Sequence, residues 1–276
     1  MNGEAMSLKA KIRNLAKKKD ISAQVVLQNY MFERFLERLS KSAYRDKFIL
    51  KGGILIAALV GIDNRATMDM DTTIKNYPIN VGSLRKAIKE ICSINVEDGV
   101  SFSFLNIEAI RDDDAYGGYR VSILSEFDTI ATPMQIDITT GDVITPKEIL
   151  YLFKMIFKEG SIGIWTYNIE TVLAEKAETI LRRGELNTRP RDFYDVYILT
   201  KTQSINNKVF AEALRSTAAH RGTNHIFKNI SNRLEEIEES ETLRARWNRY
   251  TKDYRYADKI SYEDITGALK ALINNF

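Results

Sequence analysis

The sequence predicts an α+β protein, on three observations. Apolar residues recur at helical spacing up to residue 43, short β-like runs dominate residues 48–167, and helical spacing returns after 168 and persists to Phe276. Three segments follow: N-terminal helices at 1–45, a strand-rich core at 46–167 and a helical C-terminal domain at 168–276. At 276 residues, with 44% hydrophobic and 28% charged residues, a sizeable core is expected, and collagen-like, disordered and disulfide-scaffold classes are excluded. Forty Lys and Arg oppose 37 Asp and Glu, a net charge of +3, so a polyanion site has to arise from local clustering. A single cysteine, Cys92, permits no internal disulfide, and His220 and His225 are too few for a Cys/His zinc site. A reducing, cytoplasmic setting is expected.

Leu15, Val25, Val26, Met31, Phe32 and Phe35 predict helix across 7–43. The six cations between Lys9 and Lys19 precede no signal-peptide core, and the longest apolar stretch, Ile54 to Val60, is far short of the roughly 20 residues of a membrane span. A soluble protein with no membrane partner is expected. Phe48-Ile49-Leu50 reads as a strand, Gly52-Gly53 as a tight turn, 54–60 as a short buried helix and 66–74 as an alternating strand. Leu84, Ile88 and Ile91 mark an amphipathic helix over 81–93, with Cys92 as a small core residue. Strands follow at 101–110, 118–124 and 131–140, with Gly117-Gly118 as a hairpin turn. Segment 149–167 reads as strand from its aromatic and β-branched content, although Tyr151 to Phe157 alone fits either state. Asn168 is placed to cap a helix running to Arg183, and a further helix starts after Pro190.

The chemistry lies in the carboxylates. In Thr67-Met68-Asp69-Met70-Asp71-Thr72 an alternating strand puts Asp69 and Asp71 on one face with Thr67 and Thr73, and sends Met68, Met70, Thr72 and Ile74 to the other. Asp137 holds the polar face of a later strand while Met134, Ile136 and Ile138 point inward. Three such acids repel one another unless a cation lies between them, and magnesium, a hard ion that shares its shell with substrate phosphates, fits. Two ions about 3.5–4 Å apart would activate an attacking hydroxyl and stabilise a leaving pyrophosphate. An isolated Asp-x-Asp is more often a solubilising strand face. The upstream Lys51-Gly52-Gly53, between strand and helix, adds weight, because paired glycines let backbone amides approach a phosphate at a helix N-terminus.

On the helix after Asn168, Lys176 falls inside the apolar arc of Ile169, Val172, Leu173 and Ile180, with Arg183 two turns on. Such a lysine either snorkels past its neighbours or meets a triphosphate or an acid. Arg182, Arg183, Arg189 and Arg191 form a dense positive patch, and Asp192 and Asp195 share a face of the next helix. That patch reads either as surface ion pairing or as a polyanion-binding edge. Farther on, Arg244, Arg246, Arg249, Lys252 and Arg255 interleave with Trp247, Tyr250, Tyr254 and Tyr256. Segment 244–256 is expected to bury its aromatics and solvate its charges, with base stacking as the alternative.

Together, Lys51-Gly52-Gly53, Arg65-Ala66-Thr67-Met68-Asp69-Met70-Asp71, Leu173-Ala174-Glu175-Lys176 and Arg189-Pro190-Arg191-Asp192-Phe193-Tyr194-Asp195 resemble the motifs of the AbiEii/AbiGii-type nucleotidyltransferase toxins. These abortive-infection, type IV toxin-antitoxin proteins belong to the DNA polymerase β-like superfamily, and the similarity covers about residues 48–200. The resemblance implies a polymerase-β-like mixed sheet with helices C-terminal to it, a nucleoside triphosphate substrate and Mg2+. It implies metal binding by Asp69 and Asp71, with Asp137 assigned as the third carboxylate. Gly52, Gly53 and Lys176 would bind the triphosphate, Arg183 and Arg191 would meet phosphates, and Asp192 would match the fourth motif. It further implies an RNA acceptor such as the 3′ end of tRNA, and a separately encoded winged-helix antitoxin as partner. One departure stands out: family members often carry Gly-Ser where this chain has Gly52-Gly53. A phosphate-binding hydroxyl is therefore missing, which keeps open a catalytically weak, nucleotide-binding regulatory module. The residues leave undecided whether Lys51 and Arg65 touch ligand or pair with neighbouring acids.

Overall fold

Phe48, Ile49 and Leu50 are apolar without alternation, the pattern of a strand covered on both faces, and they form β1 (Phe48–Lys51) near the middle of the sheet. The computed structural model describes residues 3–110 and 117–274. Among them, β1 is joined by β2 (Met70–Ile74), β3 (Ser101–Ile110), β4 (Gly118–Phe127), β5 (Ile130–Thr140), β6 (Ile149–Lys154) and β7 (Ser161–Thr166) in one sheet of order β3-β4-β5-β2-β1-β7-β6. The sheet is mixed: β2 runs parallel to β5 and β1 parallel to β7, while the other neighbours are antiparallel. Residues 149–166 are thus strand, turn and strand.

The chain forms two units. The first comprises the described residues up to Asp142 together with 149–166, and the second comprises 143–148 and the chain from Tyr167 onward. The first unit includes α1 (Gly3–Lys19) and α2 (Ala23–Lys41), the helices expected in this region, whose dividing point the sequence alone does not locate. The break falls at Asp20, which has a positive φ, and Ser22 restarts the helix by accepting the Val25 N–H. One face of α2 buries Arg34 and Arg38. Arg38 forks onto Asp98 at 2.8 and 2.9 Å, and Arg34 pairs with Glu33 and Glu37. Burial pushes the Asp98 carboxyl up, but the hydrogen bonds of Arg38 and the Val100 amide, with the charges of Arg38 and Arg34, hold it below the usual range. Burial also pushes the Cys92 thiol up to about 12, consistent with an inert core residue.

Two predictions about the sheet are corrected. Gly52 and Gly53 do not make a separate turn: they are the first residues of α3 (Gly52–Val60), whose all-apolar sequence fits its burial. The strand of 66–74 begins only at Met70, because Asn29 holds the Thr67 carbonyl and Thr67 Oγ1 bonds the Asp69 carbonyl, keeping 65–69 irregular. Alternation therefore fails at Met68, which is exposed, and Thr73, expected on the polar face, is buried. The strands expected at 101–110, 118–124 and 131–140 all form, with β4 running on to Phe127 and β5 starting at Ile130. Residues 111–116 lie outside the described residues, and Gly117-Gly118, expected as a hairpin turn, is the approach to and start of β4. Helix α4 (Val81–Cys92) buries Leu84, Ile88 and Ile91 as expected.

The second unit is helical, as predicted after 168. It holds α5 (Ile169–Arg183), α6 (Pro190–Thr202), α7 (Asn207–His220), α8 (Ile230–Glu239), α9 (Glu241–Asp253) and α10 (Tyr262–Asn274). Asn168 caps α5 by accepting the Thr171 N–H, while its amide donates to the carbonyls of Thr145 and Lys147. Among the described residues, no helix is long and apolar enough to cross a membrane.

Candidate active site

Strand pairing, more than any local motif, arranges the first unit's charges. Residues directly opposite on neighbouring strands project from the same face. Glu108 of β3 faces Arg120 of β4, Arg120 faces Asp137 of β5, Asp137 faces Asp71 of β2, and Asp71 faces Lys51 of β1. In this row of five charges, Asp137 and Asp71 are the one like-charged step, a destabilising arrangement unless each acid is answered elsewhere.

Each acid is answered. Arg120 grips Asp137 with a two-pronged fork, Nε to Oδ1 at 2.8 Å and Nη2 to Oδ2 at 2.7 Å. The hydrogen bonds and charge of Asp137 raise the Arg120 pKa, and the charges of Asp69 and Asp71 add to that shift. Asp71 accepts the Gly53 N–H at 3.3 Å, at the N-terminus of α3 where the helix dipole favours negative charge. Gly52 has φ +63°, and a Cβ there would lie 2.0 Å from Asp71 Oδ2, so this junction admits only glycine. Asp69 lies one residue ahead of β2 and is exposed.

Space for a side chain at 53 is already taken. A Cβ on Gly53 would lie 2.7 Å from Thr67 Oγ1, 3.2 Å from Thr67 Cβ and 3.3 Å from an Arg65 nitrogen. Both residues that the sequence leaves undecided have protein partners. Lys51 Nζ meets Asp142 Oδ2 at 2.5 Å, and buried Arg65 donates to the Ala66 carbonyl at 2.6 Å.

The three carboxylates assigned to a metal centre are not gathered into one group among the described residues. Among the described residues, no group of three His, Cys, Asp or Glu side chains is placed to hold a metal ion. Physically, Asp137 is committed to Arg120 and Asp69 stands outside the strand that was expected to align it. Asp71, which accepts the Gly53 N–H, and the exposed Asp69 just ahead of β2 are the acids left that could hold a single Mg2+, which needs one or two carboxylates and completes its shell with water and phosphate oxygens.

The second unit carries the remaining candidates. Lys176 of α5 meets Asp192 Oδ1 at 2.5 Å and Asp195 Oδ2 at 3.1 Å, both from α6, so of the destinations expected for it the acids are realised. Pro190 opens α6 and sets these two acids three apart on its buried side. Arg183 ends α5 with a buried Nε that has no hydrogen-bond partner among the described residues. Arg191 stacks on Tyr254 and donates to its hydroxyl at 2.8 Å. Trp247 and Tyr250 are buried as expected, and Arg246 is tied to the Glu185 and Asn187 carbonyls.

Residue-type reasoning missed Arg120 and the Glu178 cluster. Glu178 is buried and held by Arg182, Arg221 and Thr223. Arg120 was recoverable, because Phe127 facing Ile130 across a two-residue turn places Arg120 opposite Asp137 by simple counting along the hairpin. Glu178 had no such local signal.

A strand running through Gly-Gly into a helix, with Asp71 on the adjacent strand and Asp69 just ahead of it, fits the nucleotidyltransferase class that the family match below shows. More particularly, the chain belongs to the AbiEii family, since the family model described as nucleotidyl transferase AbiEii toxin of the type IV toxin-antitoxin system matches residues 34–270. No curated protein sequence matches. Among solved structures, the chain is similar to an H. pylori protein classed as a nucleotidyltransferase, with 17% identity and TM-score 0.50, covering 92% of this chain and 95% of that one. It is also similar to JHP933 from Helicobacter pylori, with 18% identity and TM-score 0.50, covering 92% and 91%. At these identities the likeness concerns the fold.

Proposed function

We propose that the chain transfers a nucleotidyl group from a nucleoside triphosphate to an RNA hydroxyl, with the 3′ end of tRNA as acceptor, in a Mg2+-dependent reaction. The observation that supports this reading is the hydrogen bond from the Gly53 amide to the Asp71 carboxylate, an acid able to hold a cation beside a helix N-terminus able to receive a phosphate. The acceptor oxygen attacks the α-phosphorus, a new phosphodiester bond forms, and the bond to pyrophosphate breaks. The N-terminus of α3 would receive phosphate oxygens, and Asp69 and Asp71 would hold the ion, which when bound would supply charge neutralisation at the phosphates and lower the acceptor hydroxyl's pKa. Lys176, Arg183 and Arg191 meet phosphates, and Asp192 positions Lys176. In the cell we place the activity in the cytoplasm, restrained by a winged-helix antitoxin encoded nearby.

The test is incubation of the purified protein with Mg2+, total RNA and each α-labelled triphosphate in turn. Label is expected in one RNA class. Asp69→Ala and Asp71→Asn should each reduce incorporation at least about a hundredfold, the scale on which single electrostatic groups act at a reacting centre. Undiminished labelling by both variants refutes the site. Triphosphate binding with no label transferred to any RNA refutes the RNA acceptor.

A further inference from the structure

The chemistry of the charge row extends beyond the two acids that the proposed reaction uses. A second divalent ion would need Asp137 as a ligand beside Asp71, its in-register neighbour. Both oxygens of Asp137 are engaged by one guanidinium. This contact is a product of the fold: β4 and β5 pair without irregularity from Tyr119–Ile138 to Phe127–Ile130, and that register fixes Arg120 opposite Asp137. The fork is planar, bidentate and permanently charged, so it is not lost by a proton. A second divalent ion at Asp137 would have to displace that guanidinium or sit against it, charge against charge.

We propose that Arg120 is the second cation of this centre: it occupies Asp137 in place of a metal, and the site takes one divalent ion per triphosphate, on Asp69 and Asp71. This rests on the nucleotidyltransferase site proposed above. Arg120 is partly exposed, with 44% of its side chain open to solvent, and the charges of Asp69 and Asp71 both act on it. It therefore stands at the centre and supplies fixed positive charge there, with Asp137 serving as its anchor. The raised pKa of Arg120 agrees with a cation stabilised by all three acids.

The test counts ions. The full chain is dialysed to equilibrium against Mn2+ with the α,β-methylene analogues of ATP, GTP, CTP and UTP in turn, and bound Mn2+ per bound triphosphate is read by paramagnetic resonance. One ion is expected for the unaltered chain, and one for Asp137→Asn, because that residue is not a metal ligand. Arg120→Gln frees Asp137 and is expected to admit a second ion, while Arg120→Lys keeps the charge and the count of one. Two ions in the unaltered chain overturn the inference and leave the reaction untouched. A count of one for well-folded Arg120→Gln also overturns it. Triphosphate bound with no Mn2+ overturns the proposed site itself. Should Arg120→Gln fail to fold, the counts for the unaltered chain and Asp137→Asn still decide.

Discussion

At Gly53, where the resemblance leads one to expect a serine, Thr67 fills the volume that a side chain would occupy. Restoring Gly53→Ser on its own is expected to overpack this junction and destabilise the protein by about 1–3 kcal/mol. Combined with Thr67→Ala, the same change should be relieved, with a coupling of at least about 1 kcal/mol in a double-mutant cycle followed by denaturant unfolding. Additive effects would show that the two positions do not compete for space. That Gly52, Gly53 and Asp71 are candidates for one site was legible from residue type and spacing, and the structure brings the three into contact. Arg120 was not, because an arginine in a strand carries no signal until the residue across the hairpin is identified.

Among the elements, α5 shows how one side chain can do the work of a connection. Asn168 is at once the helix cap and the donor that ties down 145–147. Asn168→Ala loses both functions, an expected cost of about 2–3 kcal/mol. Asn168→Asp keeps the cap but turns a carboxylate toward the Thr145 and Lys147 carbonyls, and should recover only part of that loss. Thermal unfolding of the two variants separates the terms, and equal stability of Asn168→Asp and the parent would mean that the two amide bonds contribute nothing. Where an element depends on its own sequence it was well predicted: the helices of 81–93 and 168–183 and the strands of 101–140 have the required periodicity. Prediction failed at 66–69, where Asn29, a residue from another helix, holds the backbone out of strand geometry.

Across the whole molecule, a net charge of +3 offers a triphosphate little general attraction, and at the site proposed above it would meet two acids. Divalent metal should therefore be needed for binding as well as for chemistry. Chelation with EDTA is expected to weaken triphosphate affinity at least about tenfold, near 1.4 kcal/mol, by calorimetry, and unchanged affinity would contradict metal binding at Asp69 and Asp71. The α+β class and the helical second half followed from periodicity. The sheet order did not, since β2 pairs with β5 and β1 with β7 across long stretches of chain that leave no mark on local sequence. That topology has a kinetic corollary. Joining β2 to β5 closes a loop of more than sixty residues, an entropic cost of about 4 kcal/mol before any contact repays it. Asp71 and Asp137 therefore become neighbours late on the folding route, after the local β4–β5 hairpin has already matched Asp137 to Arg120. During synthesis, a ribosome-bound chain acquires its complete charge row only once β5 has emerged and docked.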